Sequence, residues 1–273
     1  MKLDVWLRQN KIARSAFAKQ VGLSPASVTA LCNDPAAWIS RESAERITAA
    51  TGGAVTPNDF LGLSGPREAA MSNNVAETIE AFARGEIVIV TDDDDRENEG
   101  DLIVAASLCT PEKMAFIIRN TCGIVCAPLT SSEARRLRLD PMVSSNDAPL
   151  GTAFTITVDV KHGLTTGISA EQRTNTVRAL ANGNMGAADF VRPGHVFPLI
   201  AKDGGVLMRS GHTEAAVDLC KLADLPQVGV ICELANDDGT VMKGAQITAF
   251  AEKHGLKQIT VADLIAYRQS REK

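Results

Sequence analysis

The sequence has few aromatic residues and no long apolar or basic stretch, and these absences exclude several classes of protein. Its only tyrosine is Tyr267 and its only tryptophans are Trp6 and Trp38, so no aromatic stacking surface is expected. The net charge of −5 argues against a broad nucleic-acid surface. No apolar run approaches the roughly 20 residues of a membrane helix, and the N-terminus lacks a signal-peptide core. We therefore expect a cytoplasmic protein without membrane contacts.

The six cysteines form no Cys-x-x-Cys pair, and most of them lie in apolar segments. Such spacing is not that of a disulfide framework or of a structural zinc site. We expect reduced thiols, and the composition otherwise matches an ordinary globular protein, with 45% hydrophobic and 22% charged residues.

Turn-forming residues between positions 62 and 74 predict a division of the chain. We assign residues 1–66 to a small helical module, residues 67–74 to a linker and residues 75–273 to a larger domain. In the module, Ser15 and Ser24 are the expected N-caps of two short helices, with Pro25 opening the second. A further amphipathic helix is expected from Arg41 to Thr51.

The helix, Gly22-Leu23-Ser24 turn and second helix resemble the helix-turn-helix of the Cro and phage-repressor family. DNA binding does not follow from that pattern alone. The second helix, residues 25–32, contains no Arg, Lys, Gln or Asn, the side chains that make bidentate base contacts. A small helical module for assembly, stability or protein contact is the alternative interpretation.

Residues 75–273 alternate between strand-like and helix-like segments, which predicts a layered α/β domain with a mixed β-sheet. The Ile/Val run at 86–91 is typical of a strand buried on both faces. Other strands are expected at 123–127, 154–160 and 228–234. Helices are expected at 75–84, 111–120, 171–182, 214–222, 246–253 and 261–269.

An acidic stretch, residues 91–101, follows the first predicted strand and holds seven carboxylates and one arginine. Such a cluster repels itself unless it is solvated or is bound to cations and substrate. Hard cations such as Mg2+ take oxygen ligands, and Arg96 can hold a phosphate. A solvated surface loop is the alternative, but the position between two buried elements favours a site.

Two further segments carry candidate functional residues. Arg209-Ser210-Gly211-His212-Thr213 combines a guanidinium, a hydroxyl and backbone N–H groups before a predicted helix, which are the parts of a phosphate cradle. Glu233 ends a buried strand, where a carboxylate suits acid–base work or is simply a surface residue. His195 lies in Arg192-Pro193-Gly194-His195-Val196-Phe197-Pro198-Leu199.

Together with Asp95–Asp101 and Gly211–Leu219, these segments resemble the 3,4-dihydroxy-2-butanone-4-phosphate synthase family of riboflavin biosynthesis over roughly residues 75–270. The resemblance implies an α/β fold and conversion of D-ribulose 5-phosphate into L-3,4-dihydroxy-2-butanone 4-phosphate and formate. It also implies a homodimer with sites near the subunit interface. Two Mg2+ (or Mn2+) ions per subunit and no organic cofactor are expected.

The resemblance also implies residue roles. Glu97 and His212 are expected to bind the metal pair, and His195 and Glu233 to be the catalytic acid–base groups. The substrate-binding residues are expected to be Arg96, Glu97, Asp101, Arg209, Ser210, Gly211, His212, Thr213 and Glu233. Cys126 matches a cysteine that lines the family's site, although packing is its expected role here.

Two departures from the family and three hypotheses remain. The family often has Glu where this sequence has Asp94, which is one methylene shorter. The family usually has an Asp where this sequence has Gln172, so capping of the next helix or orientation of Arg173 is expected to be weaker. The leading hypothesis is a Mg2+-dependent synthase. The second is a transcription regulator whose α/β domain only senses a sugar phosphate, and the third combines a synthase with a DNA-binding module. No GTP cyclohydrolase activity is expected, since the sequence contains no zinc-binding cysteine motif.

Overall fold

The computed structural model describes residues 3–33, 39–55, 57–60, 66–92 and 96–271. Contacts between Cα atoms divide the chain into two compact units, Met1–Asn73 and Asn74–Lys273. Asp93, Asp94 and Asp95 of the acidic stretch lie outside the described residues. None of the described helices is long and apolar enough to cross a bilayer.

The N-terminal unit is helical. Its helices are α1 (Leu3–Gln9), α2 (Arg14–Gln20), α3 (Pro25–Asn33), α4 (Arg41–Ala50) and α5 (Pro57–Phe60). They enclose a core that includes Leu7, Phe17, Val28 and Ile47. Helices α2 and α3 lie on either side of Gly22-Leu23-Ser24, and a helix-turn-helix domain stays a prediction.

The predicted cap of α3 is confirmed, because the Ser27 N–H donates to Ser24 Oγ at 3.0 Å. The predicted cap of α2 is wrong. This helix begins at Arg14, one residue before Ser15, and follows Ala13, which has no side-chain acceptor for the free N–H groups.

Helix α6 covers Pro66–Ala83, so residues 67–74, where turn formers predicted a linker, lie within a helix. The remaining helices of the second unit are α7 (Pro111–Asn120), α8 (Ser131–Leu137), α9 (Ala170–Leu180), α10 (His212–Leu222), α11 (Ala245–His254) and α12 (Val261–Arg271). Helix α7 has the predicted bounds because Thr110 caps it and Pro111 opens it.

A seven-stranded mixed sheet organises the second unit, which confirms the predicted α/β fold. Its strands are β1 (Val88–Thr91), β2 (Gly100–Ala105), β3 (Cys126–Leu129), β4 (Val158–Val160), β5 (Phe190–Ile200), β6 (Gly229–Glu233) and β7 (Lys257–Thr260). Their order is β4-β5-β3-β6-β2-β1-β7. The pairs β1–β7 and β3–β5 are parallel, and the other pairs are antiparallel.

Helices cover both faces of this sheet. Ile89 joins a cluster with residues of α7, α9 and α11, whereas its neighbours Val88 and Val90 join a cluster with residues of α6, α10 and α12. This alternation follows from the two-residue period of a strand. All three side chains are fully buried, as the Ile/Val run predicted.

Several element boundaries differ from those predicted. Strand β5 was not predicted because Pro193, Gly194 and Pro198 interrupt the sequence pattern of a strand. Strand β3 begins three residues later than expected, and only the last three residues of the segment 154–160 form β4. Helices α8 and α10 also differ: α8 was not predicted, and α10 begins at His212, two residues early.

Candidate active site

The candidate site begins at one end of strands β2 and β6. Asp101 on β2 lies directly opposite Glu233 on β6, and Ile231 lies opposite Cys126 on β3. Side chains alternate along each strand, so these four point to the same face of the sheet. Directly opposed residues have Cβ atoms roughly 5 Å apart. The register therefore brings two carboxylates and a thiol to one place.

The turn before β2 is organised by the buried carboxylate of Asp92. Its Oδ1 accepts the Glu99 N–H at 2.9 Å, and its Oδ2 accepts Arg96 Nη1 at 2.6 Å and the Glu97 N–H at 3.2 Å. Arg96 Nη1 also donates to Glu97 Oε2 at 2.7 Å. These bonds fix the positions of Arg96 and Glu97 beside Asp101.

The first turn of α10 supplies the opposite wall. Its N-cap is Gly211, followed by His212 and Thr213. Arg209 Nη1 donates to the buried Glu214 at 2.6 Å, and Arg209 Nη2 donates to Thr152 Oγ1 at 3.2 Å. A Cβ on Gly211 would lie 2.4 Å from Arg209 Nη1, so only glycine allows the guanidinium to approach this closely.

A cavity of about 180 Å³ collects these side chains from four parts of the chain. Seven of the predicted site residues line it, namely Arg96, Glu97, Asp101, Arg209, His212, Thr213 and Glu233. Sequence reasoning named Cys126 as well, but missed Thr152, Phe154, Leu199 and Ile231. Ser210 and Gly211 adjoin the cavity in sequence but are not among its lining residues.

Burial and mutual charge shift the protonation of three of these groups. Hydrogen bonding to His212 and the nearby Arg96 lower the pKa of Glu97 to about 2. Burial raises the pKa of Asp101 to about 7, partly opposed by His212. Burial lowers the pKa of His212, but Asp101, Glu97 and Asp92 outweigh it and raise that pKa to about 9. Without another cation, His212 is therefore protonated at neutral pH.

The residues of this cavity fit a divalent cation. Ligand atoms of Asp92, Glu97 and His212 all lie within 4.8 Å of one another. His212 Nε2 and Asp101 Oδ1 are buried and have no hydrogen-bond partner among the described residues. Such groups are costly unless a ligand satisfies them. Carboxylates with an imidazole suit Mg2+ or Mn2+ together with bound water.

His195, the other predicted catalytic residue, lies outside this cavity. Its Nδ1 is 2.7 Å from Asp159 Oδ2, and its backbone N–H donates to Asp159 Oδ1 at 2.9 Å. The imidazole is 42% exposed, whereas Asp159 is buried. Gly167 packs against both side chains, since a Cβ there would lie 2.6 Å from His195 Nδ1.

Asp159 is a functional candidate that sequence reasoning missed. It sits inside an Ile/Val-rich strand segment, where an acid is unusual, and that was the available signal. A carboxylate hydrogen-bonded to Nδ1 fixes the ring orientation and leaves Nε2 free for proton transfer. The arrangement is thus an exposed imidazole oriented by a buried carboxylate.

Gln172 has a different role from the one expected. The Ser169 side chain caps α9 by accepting the Gln172 N–H, and Arg173 donates to the Gly123 carbonyl at 3.0 Å. The Gln172 amide instead accepts the Gly167 N–H at 2.5 Å and donates to Thr165 Oγ1 at 2.6 Å. It therefore orders the loop that packs on Asp159 and His195.

The sequence and fold of this chain are similar to those of known proteins. The family model described as 3,4-dihydroxy-2-butanone 4-phosphate synthase matches residues 76–267. The riboflavin biosynthesis protein RibBA of Salinispora arenicola is 53% identical over 199 residues, which are 73% of this chain and 47% of that protein. The chain thus spans about half the length of the first curated relatives it matches.

Two further matches extend the similarity, the first in sequence and the second in both sequence and fold. The 3,4-dihydroxy-2-butanone 4-phosphate synthase of Helicobacter pylori is 51% identical over 200 residues, 72% of this chain and 58% of that protein. A crystal structure of a 3,4-dihydroxy-2-butanone 4-phosphate synthase in complex with two magnesium ions superposes with a TM-score of 0.71 at 45% identity. The match covers 72% of this chain and 97% of the chain in that crystal structure.

Proposed function

The chain belongs to the 3,4-dihydroxy-2-butanone 4-phosphate synthase family, and we propose that it acts in riboflavin biosynthesis. The reaction converts D-ribulose 5-phosphate into L-3,4-dihydroxy-2-butanone 4-phosphate and formate. The supporting observation is the cavity that joins Glu97, Asp101, His212 and Glu233 with two arginines. A degenerate sensor would have no need of this complete set of acid–base and ligand groups.

Glu97 and His212 would hold the metal ions, with Asp92 close enough to contribute. When bound, a divalent cation stabilises the negative charge of an enediolate and holds neighbouring substrate oxygens. The solved synthase described above is in complex with two magnesium ions, which supports two Mg2+ per subunit here. The carboxylate of Glu97 is ionised at neutral pH, and its lowered pKa of about 2 keeps it ionised in acid solution as well.

Arg209, Thr213 and the N-terminus of α10 would bind the substrate phosphate. The backbone N–H groups of the first helical turn are unpaired within the helix and favour anions. Glu214 and Thr152 orient the Arg209 guanidinium, so little side-chain entropy is lost on binding. Ser210 and Gly211 belong to the same stretch, and Gly211 leaves the room that Arg209 needs. Arg96 would assist near the sugar hydroxyls.

Glu233 and Asp101 would exchange protons with the substrate carbons and hydroxyls. Enolisation of a ketose needs a base, and loss of a hydroxyl needs an acid. Asp101, with a pKa of about 7, holds a proton part of the time near neutrality and can serve in either direction. Glu233 faces it across the strand pair, so both reach the same bound sugar.

His195 would complete the site from a second copy of the chain. Its imidazole lies outside the lining of its own subunit's cavity but is oriented by Asp159 for proton transfer. The family resemblance implies a homodimer with sites near the interface. Exposed apolar side chains such as Ile124 and Ile168 support such an interface, and Ile168 follows the Gly167 that packs on His195.

Metal-dependent formate release tests this proposal. Purified protein is incubated with ribulose 5-phosphate and Mg2+, and EDTA should abolish formate release. Glu233→Gln should abolish it as well, whereas Glu252→Gln, on the exposed side of α11, should not. Formate release that persists in EDTA or in Glu233→Gln would contradict the assigned site.

A separate hypothesis, DNA binding, concerns the N-terminal unit. The two-helix arrangement of α2 and α3 favours it, whereas the chemistry of α3 does not. Ser24, Ala26, Ser27 and Thr29 are exposed, but the three hydroxyls make hydrogen bonds within the helix or its cap. Asn33 adds one amide at the far end of α3.

A gel-shift titration with DNA from upstream of the protein's own gene tests this hypothesis. Binding whose affinity falls with salt would support it, and the slope would count contacts from Lys11, Arg14, Lys19 and Arg41. No shift at low salt would assign the unit to assembly or protein contact instead.

A further inference from the structure

A second cluster of metal-ligand side chains lies beside the candidate active site. Cys122 Sγ is 3.6 Å from Cys232 Sγ and 2.9 Å from Glu233 Oε2. The ligand atoms of these three residues lie within 4.8 Å of one another. None of the three belongs to the Glu97 and His212 pair, and neither thiol lines the cavity. The cluster therefore calls for an explanation of its own.

Main-chain pairing holds the two thiols in place. The Cys122 N–H donates to the Glu233 carbonyl at 2.9 Å, and Thr121 forms an antiparallel bridge with Leu234. Cys232 lies within β6, is fully buried and accepts Thr121 Oγ1 at 3.0 Å. The main-chain pairing thus holds the two cysteines next to each other, and the hydrogen bond from Thr121 Oγ1 helps to orient the Cys232 sulfur.

That separation is close to the one tetrahedral zinc requires. With Zn–S bonds of about 2.3 Å, two thiolates at tetrahedral angles are roughly 3.7 Å apart. A disulfide needs about 2.05 Å between its sulfur atoms, so both side chains would have to move by well over an ångström in total. The geometry matches an ion between the thiols better than a bond between them.

The cluster is partly exposed, as an ion site with access to solvent would be. Cys122 is exposed, while Cys232 is buried and Glu233 is intermediate. A hydrogen bond with Cys232 lowers the pKa of the Cys122 thiol, although burial and Glu233 oppose this. Hydrogen bonding to Cys122 and burial raise the pKa of Cys232. A bound cation would allow both sulfur atoms to ionise, as metal binding to cysteines requires.

We propose that Cys122, Cys232 and Glu233 form a site for a thiophilic divalent cation such as Zn2+, with water as the fourth ligand, and that its occupancy inhibits the enzyme. Two thiolates select soft cations over Mg2+, so the site discriminates against the ion expected at Glu97 and His212. Both thiols release a proton on binding, and the third ligand is the Glu233 carboxylate.

Inhibition follows from the double use of Glu233. A carboxylate that ligates zinc is a much weaker base toward a substrate proton, and the zinc would fix Glu233 against Cys122 at the edge of the cavity that it lines. Only the inhibition rests on the proposed function. The binding step depends on the cluster geometry alone.

Cadmium binding tests the site directly, because thiolate ligands give an ultraviolet charge-transfer absorbance that carboxylate and imidazole ligands do not. The 273-residue chain, kept reduced with a phosphine and saturated with Mg2+, is titrated with Cd2+. The absorbance should saturate at one Cd2+ per chain. Cys122→Ser should lose it, and Cys32→Ser should keep it, since Cys32 is the other cysteine that is not buried. No saturable absorbance in the unmodified protein, or unchanged absorbance in Cys122→Ser, would overturn the site.

Formate release under excess Mg2+ then tests inhibition by Zn2+. Cys122→Ser keeps a hydroxyl donor toward Glu233, so its activity without zinc should match that of the unmodified protein. Loss of a hydrogen-bond partner of a metal ligand already lowers metal affinity by roughly 10- to 100-fold. Cys122→Ser removes a ligand itself, so its half-inhibitory zinc concentration should rise by more than that. Equal zinc sensitivity would overturn the inhibitory role. If the protein releases no formate even when zinc is absent, the proposed function is contradicted, and the cadmium result still stands.

Discussion

At the scale of single residues, the site is a group of charges that stabilise one another only in combination. Glu97, with a pKa of about 2, and His212, with a pKa of about 9, hold opposite charges at neutral pH. His212 Nδ1 also lies 3.8 Å from Asp101 Oδ1, and the pKa of Asp101 is raised because its carboxyl is fully buried. This balance predicts how metal binding and protons are linked.

Mg2+ binding should release protons at pH 7. A metal ligand must be a neutral imidazole, whereas His212 carries a proton below pH 9, so the proton competes with the metal. Affinity for Mg2+ should therefore rise with pH up to about 9. Calorimetric titration at pH 7 in two buffers of different ionisation enthalpy should report release of about one proton or more per chain. A binding enthalpy independent of the buffer would contradict this assignment.

Arg209 is expected to have two separable roles. Arg209→Met leaves Glu214, which is 1% exposed, as an unpaired buried charge, and this should lower the free energy of unfolding by roughly 3–5 kcal/mol. The double variant Arg209→Met/Glu214→Gln should recover most of that stability. It should not recover a normal KM for ribulose 5-phosphate, because the phosphate ligand is still absent. Denaturant unfolding and steady-state kinetics separate the two effects, and a normal KM in the double variant would remove Arg209 from the phosphate site.

At the scale of elements, the sequence predicted strands β1 and β6 and the Thr-capped helix α7 closely, but it missed strands β2, β5 and β7. Strands β1 and β6 are continuous apolar runs, and α7 has a Thr cap followed by Pro, so local pattern and fold agree. Strand β5 was missed because prolines in a sequence argue against a strand. The structure tolerates them because the neighbouring strand β4 is short and the register between β4 and β5 shifts.

The site residues that the sequence did not identify are brought together mainly by pairing between strands that are distant in sequence. The motifs of the acidic stretch and of Arg209–Thr213 identified most of the lining residues, because those residues are adjacent in sequence. The pair of Asp159 and His195 depends on the pairing of β4 with β5 across 36 positions. The cluster of Cys122 and Cys232 depends on pairing across 110 positions. No local pattern encodes such distances.

The contact between β4 and β5 should tolerate no side chain at Gly194. A Cβ there would lie 2.0 Å from the Val158 carbonyl carbon, a backbone atom that cannot rotate away. Gly194→Ala should therefore destabilise the protein by about 3 kcal/mol or more. Gly183→Ala, where nothing lies within 4 Å of the added carbon, is the matched control. Equal melting temperatures for the two variants would contradict the described packing of these strands.

At the scale of the whole molecule, the family domain accounts for the second unit, Asn74–Lys273, and for the proposed chemistry. The N-terminal unit, with its own core, lies outside the family match, which begins at residue 76. The second unit on its own still lacks one proposed catalytic group, because His195 does not line the cavity of its own subunit. Assembly is therefore part of the proposed mechanism.

Mixing two inactive variants should restore activity if each site uses both subunits. Glu233→Gln removes a residue from the site of its own subunit, whereas His195→Ala removes a residue from the site of the other subunit. A mixed dimer would contain one site with both residues intact and one site with neither. After random exchange of subunits, about a quarter of the unmixed wild-type activity should return. No recovery, in a mixture shown to contain mixed dimers, would place His195 and Glu233 in the same subunit's site.

The most direct test of the central claim is the balance of products from ribulose 5-phosphate, followed by NMR with Mg2+ and the full-length protein. One formate and one 3,4-dihydroxy-2-butanone 4-phosphate should appear for each ribulose 5-phosphate consumed, and neither should appear with Glu233→Gln. Ribulose 5-phosphate that binds but remains unchanged would contradict the account and favour a sugar-phosphate sensor instead.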